Sequence, residues 1–488
     1  MKNIFYNTKR RSLVLVCALA LGGLGACDDS FLDVEPEGSG RASDFFNSQQ
    51  DALEAVNSMY GNLREWNNIA FAWLAVSTIT SDNAEKGSVP GDAGFLDDFD
   101  DFTVTSTEGQ LNGFWVGQYQ GINLTNQVLA NVPDIEMDEQ LKARLLAEAK
   151  FIRAYHYFNL VRVFGGVPIV SKLPETLEEA NPPRATKEEV YNFIISDLQE
   201  AAAVLPVSYD AANVGRATKG AALGMLAKVQ LYQENWQEVL NLTEQVMSMG
   251  YSLTPSYADI FTLSGENNIE SIFEIQAMTI PGNCGASNSQ WAEVQGVREQ
   301  FGWGFVEPTE DLVNAFEEGD ERMEATILFR GEVTPAGDKI KETVPNPRYN
   351  QKAYVPGSVT TECGYAKDQN IRILRFAEVL LMHAEAANEL GMIEEALESV
   401  NRVRERAGLE PIASATQEEL RNIIWHERRV ELALENGDRF FDLVRQGRAG
   451  EVLRAQGKQF KDGVNEVMPI PQQQISLSEG VLTQNPGY

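Results

Sequence analysis

From residue 141 onward the chain strings together helix-length segments whose apolar side chains recur every three or four positions, each ending on a recognisable stop. Residues 141–163 place Leu145, Ala149, Ile152, His156 and Leu160 on one face. Gly165, Gly166 and Pro168 then end the segment. Residues 186–205 open on Thr186 with Glu189 three positions later, a capping box, and close at Pro206. A pair follows: 218–233, a short turn at Glu234-Asn235, then 236–249. The same arrangement returns as 371–390, Gly391 and 393–407, and 418–436 adds a last long helix. Such segments bury their apolar stripes only against one another, so the predicted fold is mainly α.

The helix pairs share a grammar. The first helix carries small residues at fixed steps (Ala221, Ala222 and Ala227; Ala384 and Ala387), a turn follows, and the second helix is rich in leucine and valine. Small residues let two helix axes approach closely, which is the tetratricopeptide pattern of helix–turn–helix repeats. Two stretches break it. Residues 77–113 are rich in Gly, Asp, Ser and Thr, with Phe95, Phe99 and Phe102 interleaved. Residues 251–369 mix strand-like runs at 271–275 and 327–329 with long loops holding Trp291 and Trp303. Loops this long inside one body are uncommon unless functional, so a site is expected in them.

Charge narrows the function classes. Among 488 residues, 71 acidic side chains face 40 basic ones, a net charge of −31. Nucleic-acid binders and polybasic membrane-surface proteins draw their affinity from Lys and Arg, so both classes are disfavoured. Lys2, Lys9, Arg10 and Arg11 precede an apolar run at 13–26 that is too short for the roughly 20 residues of a membrane span. Residues 1–26 therefore read as a secretory signal. Leu24-Gly25-Ala26-Cys27 resembles the bacterial lipobox, which leaves Cys27 acylated at the new N-terminus; the other reading is an ordinary signal with an incidental cysteine. Several acyl chains, at roughly 0.8 kcal/mol per buried methylene, anchor a protein stably. Asp28-Asp29 resembles the export signal of surface-exposed lipoproteins, although in other bacteria an Asp there means inner-membrane retention. Without the four leader cations the balance is 36 basic against 71 acidic, or −35.

Once Cys17 leaves with the signal and Cys27 carries lipid, only Cys284 and Cys363 remain. In an exported protein they could form one disulfide or stand as two unlinked thiols. Neither lies in a CxxC, so a metal or redox role is not indicated.

Catalytic patterns are missing where they would be expected. His426-Glu427 begins like a zinc-protease helix, but the second histidine would fall at Val430. His156 and His383 lie in amphipathic segments and read as structural. There is no GxSxG elbow; Gly302-Trp303-Gly304 starts a GxGxxG that fails at Glu307, and Lys458 lacks the upstream glycine of a phosphate loop. Asp97, Asp98, Asp100 and Asp101 could ligate a structural calcium but lack a calcium loop's spacing, so a solvated acidic loop is expected. The run Glu427-Arg428-Arg429 with Glu431, Asp438 and Arg439 reads as ion pairs buttressing a helix corner. No cofactor and no enzyme activity are expected.

Six ordered motifs resemble one family, the SusD/RagB-like nutrient-binding lipoproteins, over nearly the whole mature chain. They are Phe31-Leu32-Asp33 with Pro36; Ser81-Asp82-Asn83-Ala84; the 148–158 run EAKFIRAYHYF followed by Phe164-Gly165-Gly166-Val167-Pro168; the 375–381 run RFAEVLL with Ala384-Glu385-Ala386; Glu427-Arg428-Arg429-Val430-Glu431 with the 437–443 run GDRFFDL; and Pro469-Ile470-Pro471 with the terminal Gln484-Asn485-Pro486-Gly487-Tyr488. The resemblance implies about four tetratricopeptide-like units in a single domain, 27–488, with loop-rich insertions and a few short strands. It implies an outer-membrane, surface-exposed lipoprotein that captures oligosaccharide and caps a SusC-like TonB-dependent transporter. Binding of peptides or another nutrient, or a scaffold for surface assembly, are the alternatives.

Sugar rings stack their C–H faces on Trp and Tyr, and their hydroxyls need amides, carboxylates and guanidinium groups. The ligand candidates in and near the loops are therefore Trp66, Trp73, Asp82, Asn83, Trp291, Arg298 and Trp303. For each Trp the competing reading is core packing; for Asp82 and Asn83 it is a helix cap. Trp115 and Trp236 fall in helical patterns and are assigned to the core. The acidic excess favours a neutral glycan, unless a basic pocket around Arg298 overrides it.

Overall fold

Ser48 starts the first long helix because it can cap it: its hydroxyl accepts the Asp51 N–H while the Asp51 carboxylate accepts the Ser48 N–H at 2.8 Å. The computed structural model describes residues 45–280, 282, 284, 290–359, 362–364 and 367–488; the 1–26 signal and Cys27 lie outside them. Within Ser48–Tyr488 the long helices are α1 (Gln49–Leu63), α2 (Gly109–Asn131), α3 (Glu139–Phe164), α4 (Lys187–Val204), α5 (Lys219–Leu231), α6 (Trp236–Met247), α7 (Phe376–Glu389), α8 (Ile393–Arg406), α9 (Gln417–Leu432) and α10 (Asp438–Arg445). Each packs on its predecessor from α1 through α8, and α9 lies against α7 and α8. The fold is mainly α, as the periodicity predicts.

Local chemistry sets the ends. Thr186 and Glu189 make the expected capping box on α4, and Thr416 with Glu419 makes another on α9. The α3 helix stops at Gly165, and the chain then passes so close to Ala185 that a Cβ on Gly166 would lie 2.2 Å from its carbonyl oxygen. From Gly220 to Leu231, α5 is buried on every face. Its small residues let β-structure cross it: a Cβ on Gly224 would meet Leu374 at 2.6 Å.

Three antiparallel strand pairs interrupt the helices: β1 (Ala84–Gly87) with β3 (Phe305–Pro308), β2 (Ser271–Ile275) with β6 (Ile371–Arg375), and β4 (Ile327–Phe329) with β5 (Arg348–Asn350). The β6 pairing corrects the expected single helix over 371–390. All five β6 residues are buried and their ladder partner lies about a hundred positions upstream, so no local periodicity reports it. The 77–113 stretch is also less irregular than expected. It holds a π-helical turn running to Ile79, β1, the short helix Phe95–Asp100 and the start of α2. No helix among the described residues is long and apolar enough to cross a membrane.

A web of buried ions ties the 251–369 insertion to α8 and α9. Arg375 donates to Glu435 at 2.7 and 2.9 Å and to Glu431 at 3.0 Å; Arg322 donates to Asp320 at 2.8 Å and to Glu431 at 3.1 Å. Burial opposes ionisation of Glu431, yet Arg406, Arg375 and Arg322 outweigh it and hold its carboxyl below the usual range. The expected ion pairs at the 427–439 corner are thus present, and they extend across several elements.

Candidate functional site

Four sequence candidates are buried. Trp73 is 1% exposed, stacked between Phe114 and Phe441 at ring-centroid distances of 5.8 and 6.0 Å. Trp291 is buried at the head of the short helix Trp291–Gln295. Asp82 is fully buried and takes Arg439 through two hydrogen bonds, with Arg429 at 3.1 Å. Burial would raise its carboxyl, but the two arginines hold it at about 2. Asn83, also buried, accepts from Arg429 Nε at 2.8 Å. These two residues therefore fasten the 81–84 segment to the α9–α10 corner, and neither caps a helix. Trp115 is buried as assigned, and Trp236 is half-buried.

Trp66, Trp303 and Arg298 do come together. Trp66 opens the short helix Trp66–Ile69, and Trp303 lies in the glycine-flanked turn before β3. Both residues are half-buried, with ring centroids 6.0 Å apart. Phe71 packs edge-on to Trp66 at 5.3 Å and tilts against Trp303 at 5.7 Å, and half-buried Phe95 adds a fourth ring 6.0 Å from Phe71. Phe71 itself is floored by Phe305 of β3 at 4.9 Å. The result is an aromatic cluster built on the β1–β3 pair, with the two half-buried indoles at its partly accessible side.

Arg298 positions this surface. Its Nη1 donates to Ser88 Oγ and Asp92 Oδ2, each at 2.6 Å, and to the Trp303 carbonyl at 3.0 Å. Ser88 also donates to Asp92 at 2.9 Å and to the same carbonyl at 3.1 Å. One guanidinium thus locks the 88–92 loop to the Trp303 turn. Asp92 neutralises the charge, so there is no basic pocket here. Gly302 is required: a Cβ there would lie 2.1 Å from the Glu293 carbonyl. Burial pushes the Glu293 carboxyl up, against hydrogen bonding from Gln290 and Trp303.

Backbone strain gathers around the same loops. Ser88, Ala93, Glu299 and Val306 have φ of 63°, 43°, 61° and 62°. For a β-branched residue such as Val306 this is an outlier. Each such residue costs about 1–3 kcal/mol, and strain of this kind clusters at ligand clamps.

Sequence reading missed Phe71 as a bridge between the two indoles, and Ser88 and Asp92 as the Arg298 anchor. The contact spans more than two hundred positions; the one local hint is that a loop arginine needs an acidic partner. Three of the four aspartates weighed as calcium ligands are engaged with protein groups. Asp97 pairs with Lys86, Asp100 with Lys458, and Asp98 accepts from Thr103 at 2.8 Å, so ammonium groups stand where a cation would. Cys284 and Cys363 form a disulfide with Cα atoms 5.4 Å apart, which decides between the two sequence readings. His156 is fully buried, with Nδ1 2.9 Å from Gln118 Oε1.

Comparison with known proteins agrees with this architecture. Residues 269–488 match the SusD family, and residues 30–231 match a family described as "Starch-binding associating with outer membrane". A SusD-like protein of Bacteroides ovatus is 30% identical over 89% of this chain and 82% of its own. SusD-like protein P2 of Formosa agariphila is 29% identical over 98% of this chain and all of its own length. Among solved structures, a laminarin-binding SusD-like protein superposes with a TM-score of 0.80 at 30% identity, over 91% of this chain and all of that one. Surface glycan-binding protein A from Bacteroides fluxus gives 0.77 at 27% identity, over 91% of this chain and all of that one. With a relative this similar over most of both lengths, and two family patterns that between them leave out only 232–268 of the chain beyond residue 29, the chain belongs to the SusD family.

Proposed function

We propose that the protein is a non-catalytic, glycan-binding lipoprotein of the outer membrane that presents oligosaccharide to a SusC-like TonB-dependent transporter. The observation that carries this reading is the pair of half-buried indoles, Trp66 and Trp303, whose centroids lie 6.0 Å apart and are bridged by Phe71, with the Trp303 turn locked to the 88–92 loop by Arg298. Flat, preorganised aromatic faces suit the C–H faces of pyranose rings and add little ordering cost on binding. The Arg298–Asp92 pair leaves the surface without a free cation, which fits a neutral glycan better than a polyanionic one. The laminarin-binding relative supports the ligand class and makes laminarin the first glycan to test. Acylation at Cys27 supplies the anchor in this reading, and the helical stack supplies the face for the transporter.

Calorimetry against neutral polysaccharides, laminarin and starch included, and against anionic ones tests the proposal. Saturable binding of a neutral glycan that weakens in Trp66→Ala and Trp303→Ala is expected. No binding to any neutral glycan, or binding indifferent to both substitutions, overturns it. Release of reducing ends by the purified protein would overturn the non-catalytic part.

A further inference from the structure

Away from the aromatic surface, three helices of the stack bring metal-ligating side chains to one point. The donor atoms of Glu244 on α6, His383 on α7 and Glu395 on α8 lie within 4.8 Å of one another. We infer that Glu244, His383 and Glu395 form a binding site for a zinc-class transition-metal ion that ties α6, α7 and α8 together.

The imidazole is prepared for such a role. His383 is 3% exposed, so its ring is fixed by packing, and Nδ1 lies 2.8 Å from Ser399 Oγ. A hydrogen bond at one ring nitrogen orients the other toward a metal, the usual outer-shell arrangement for ligating histidines. The other nitrogen, Nε2, faces Glu395 Oε1 at 3.2 Å. Two ligands at about 2.0–2.2 Å from a tetrahedral zinc are themselves about 3.3 Å apart, so this spacing needs little adjustment. The Glu244 side chain is exposed and can swing in as the third ligand. Neither carboxylate is paired with Lys or Arg among the described residues. Arg402, whose charge bears on His383, lies over the Phe376 ring at 5.4 Å. Glu398, which also bears on His383, adds negative charge to the site.

The donor set decides the metal class. One buried imidazole nitrogen with two carboxylates suits Zn²⁺ and its first-row neighbours, whereas Ca²⁺ and Mg²⁺ require all-oxygen shells. A fourth position is left to water. The competing arrangement is a plain hydrogen bond from Nε2–H to Glu395 with the Ser399 hydroxyl donating to Nδ1; it predicts no stoichiometric metal binding.

The test titrates Zn²⁺ into chelator-treated full-length mature protein by calorimetry and follows Co²⁺ absorption in parallel. Expected are one saturable Zn²⁺ site, at least tenfold weaker in Glu244→Gln, Glu395→Gln and His383→Gln, and Co²⁺ bands that vanish with Glu244→Gln. Glu244→Gln carries the test if the buried histidine variant fails to fold, because its side chain is exposed. No one-site binding in the parent protein, or Zn²⁺ affinity unchanged by Glu244→Gln and Glu395→Gln, overturns the inference. Displacement of Zn²⁺ by equimolar Ca²⁺ overturns the assigned metal class.

Discussion

Arg439 grips Asp82 across 357 positions of sequence, Nε donating to Oδ1 at 2.7 Å and Nη2 to Oδ2 at 2.8 Å. The carboxylate is fully buried, so removing it leaves the Arg439 guanidinium without its two hydrogen bonds, while Arg429 keeps Asn83 and Asp311. Breaking a buried pair from one side costs about 3–5 kcal/mol. Asp82→Ala should therefore lose that much in urea denaturation, and Asn83→Ala should lose less because it removes one neutral acceptor. A loss under about 1 kcal/mol for Asp82→Ala would refute the anchoring role.

The aromatic surface separates binding from stability. Trp303→Ala and Trp66→Ala remove half-buried rings that keep an accessible face, so glycan affinity should fall about tenfold or more in each, with smaller losses of melting temperature than for a core ring. Trp73→Ala removes a buried ring between Phe114 and Phe441 and should cost about 3–5 kcal/mol of stability. Calorimetry and thermal melts of the three variants distinguish the roles; a binding defect confined to Trp73→Ala would reverse the assignment.

How much of this was legible in the sequence follows from the range of each interaction. Capping at Thr186 and the stop at Gly165 act within a few residues, and the local sequence predicts both. The β6 segment reads as helix because its partner, β2, is remote and both its faces are buried. Of the seven ligand candidates, Trp66, Arg298 and Trp303 converge while Trp73, Asp82, Asn83 and Trp291 turn inward. Residue type alone cannot separate these groups, since a buried Asp paired with Arg and an exposed Asp look alike in sequence. Burial is decided by which distant arginine arrives.

His156 gives the protein an acid-sensitive element. Burial lowers its pKa from 6.5 to about 3, so the folded ring stays neutral where the unfolded one is protonated. Below pH 6.5 the unfolded state binds the extra proton, and this group's contribution is lost as pH falls from 6.5 toward 3, at about 1.4 kcal/mol per unit. Glu266 and Glu307 work in the opposite direction: burial raises each to about 7, so their contribution is lost as pH rises from 4.5. The histidine's share is therefore read by difference. The stability gap between parent and His156→Gln should narrow between pH 6.5 and 5, and the His156 ring should show no NMR titration above pH 4. A titration midpoint above 5 would contradict the buried neutral ring.

The Cys284–Cys363 disulfide closes a loop with a sequence separation of 79 that contains Arg298, Trp303 and strands β3 to β5. A cross-link of that length acts mainly on the unfolded chain, and the loop-entropy relation gives about 4.5 kcal/mol. Inside the folded protein the Trp303 turn has its own supports: the Arg298 bonds to Ser88 and Asp92, and the β1–β3 ladder. The two effects should therefore separate. Cys284→Ser with Cys363→Ser should lower the melting temperature, as should a reductant on the parent protein, while glycan affinity at 20 °C changes less than about threefold. Arg298→Ala should do the reverse, weakening glycan binding more than it lowers the melting temperature, because it frees the Trp303 turn without touching the core. If the cysteine variant loses affinity as severely as Arg298→Ala, the disulfide is itself part of what preorganises the aromatic surface.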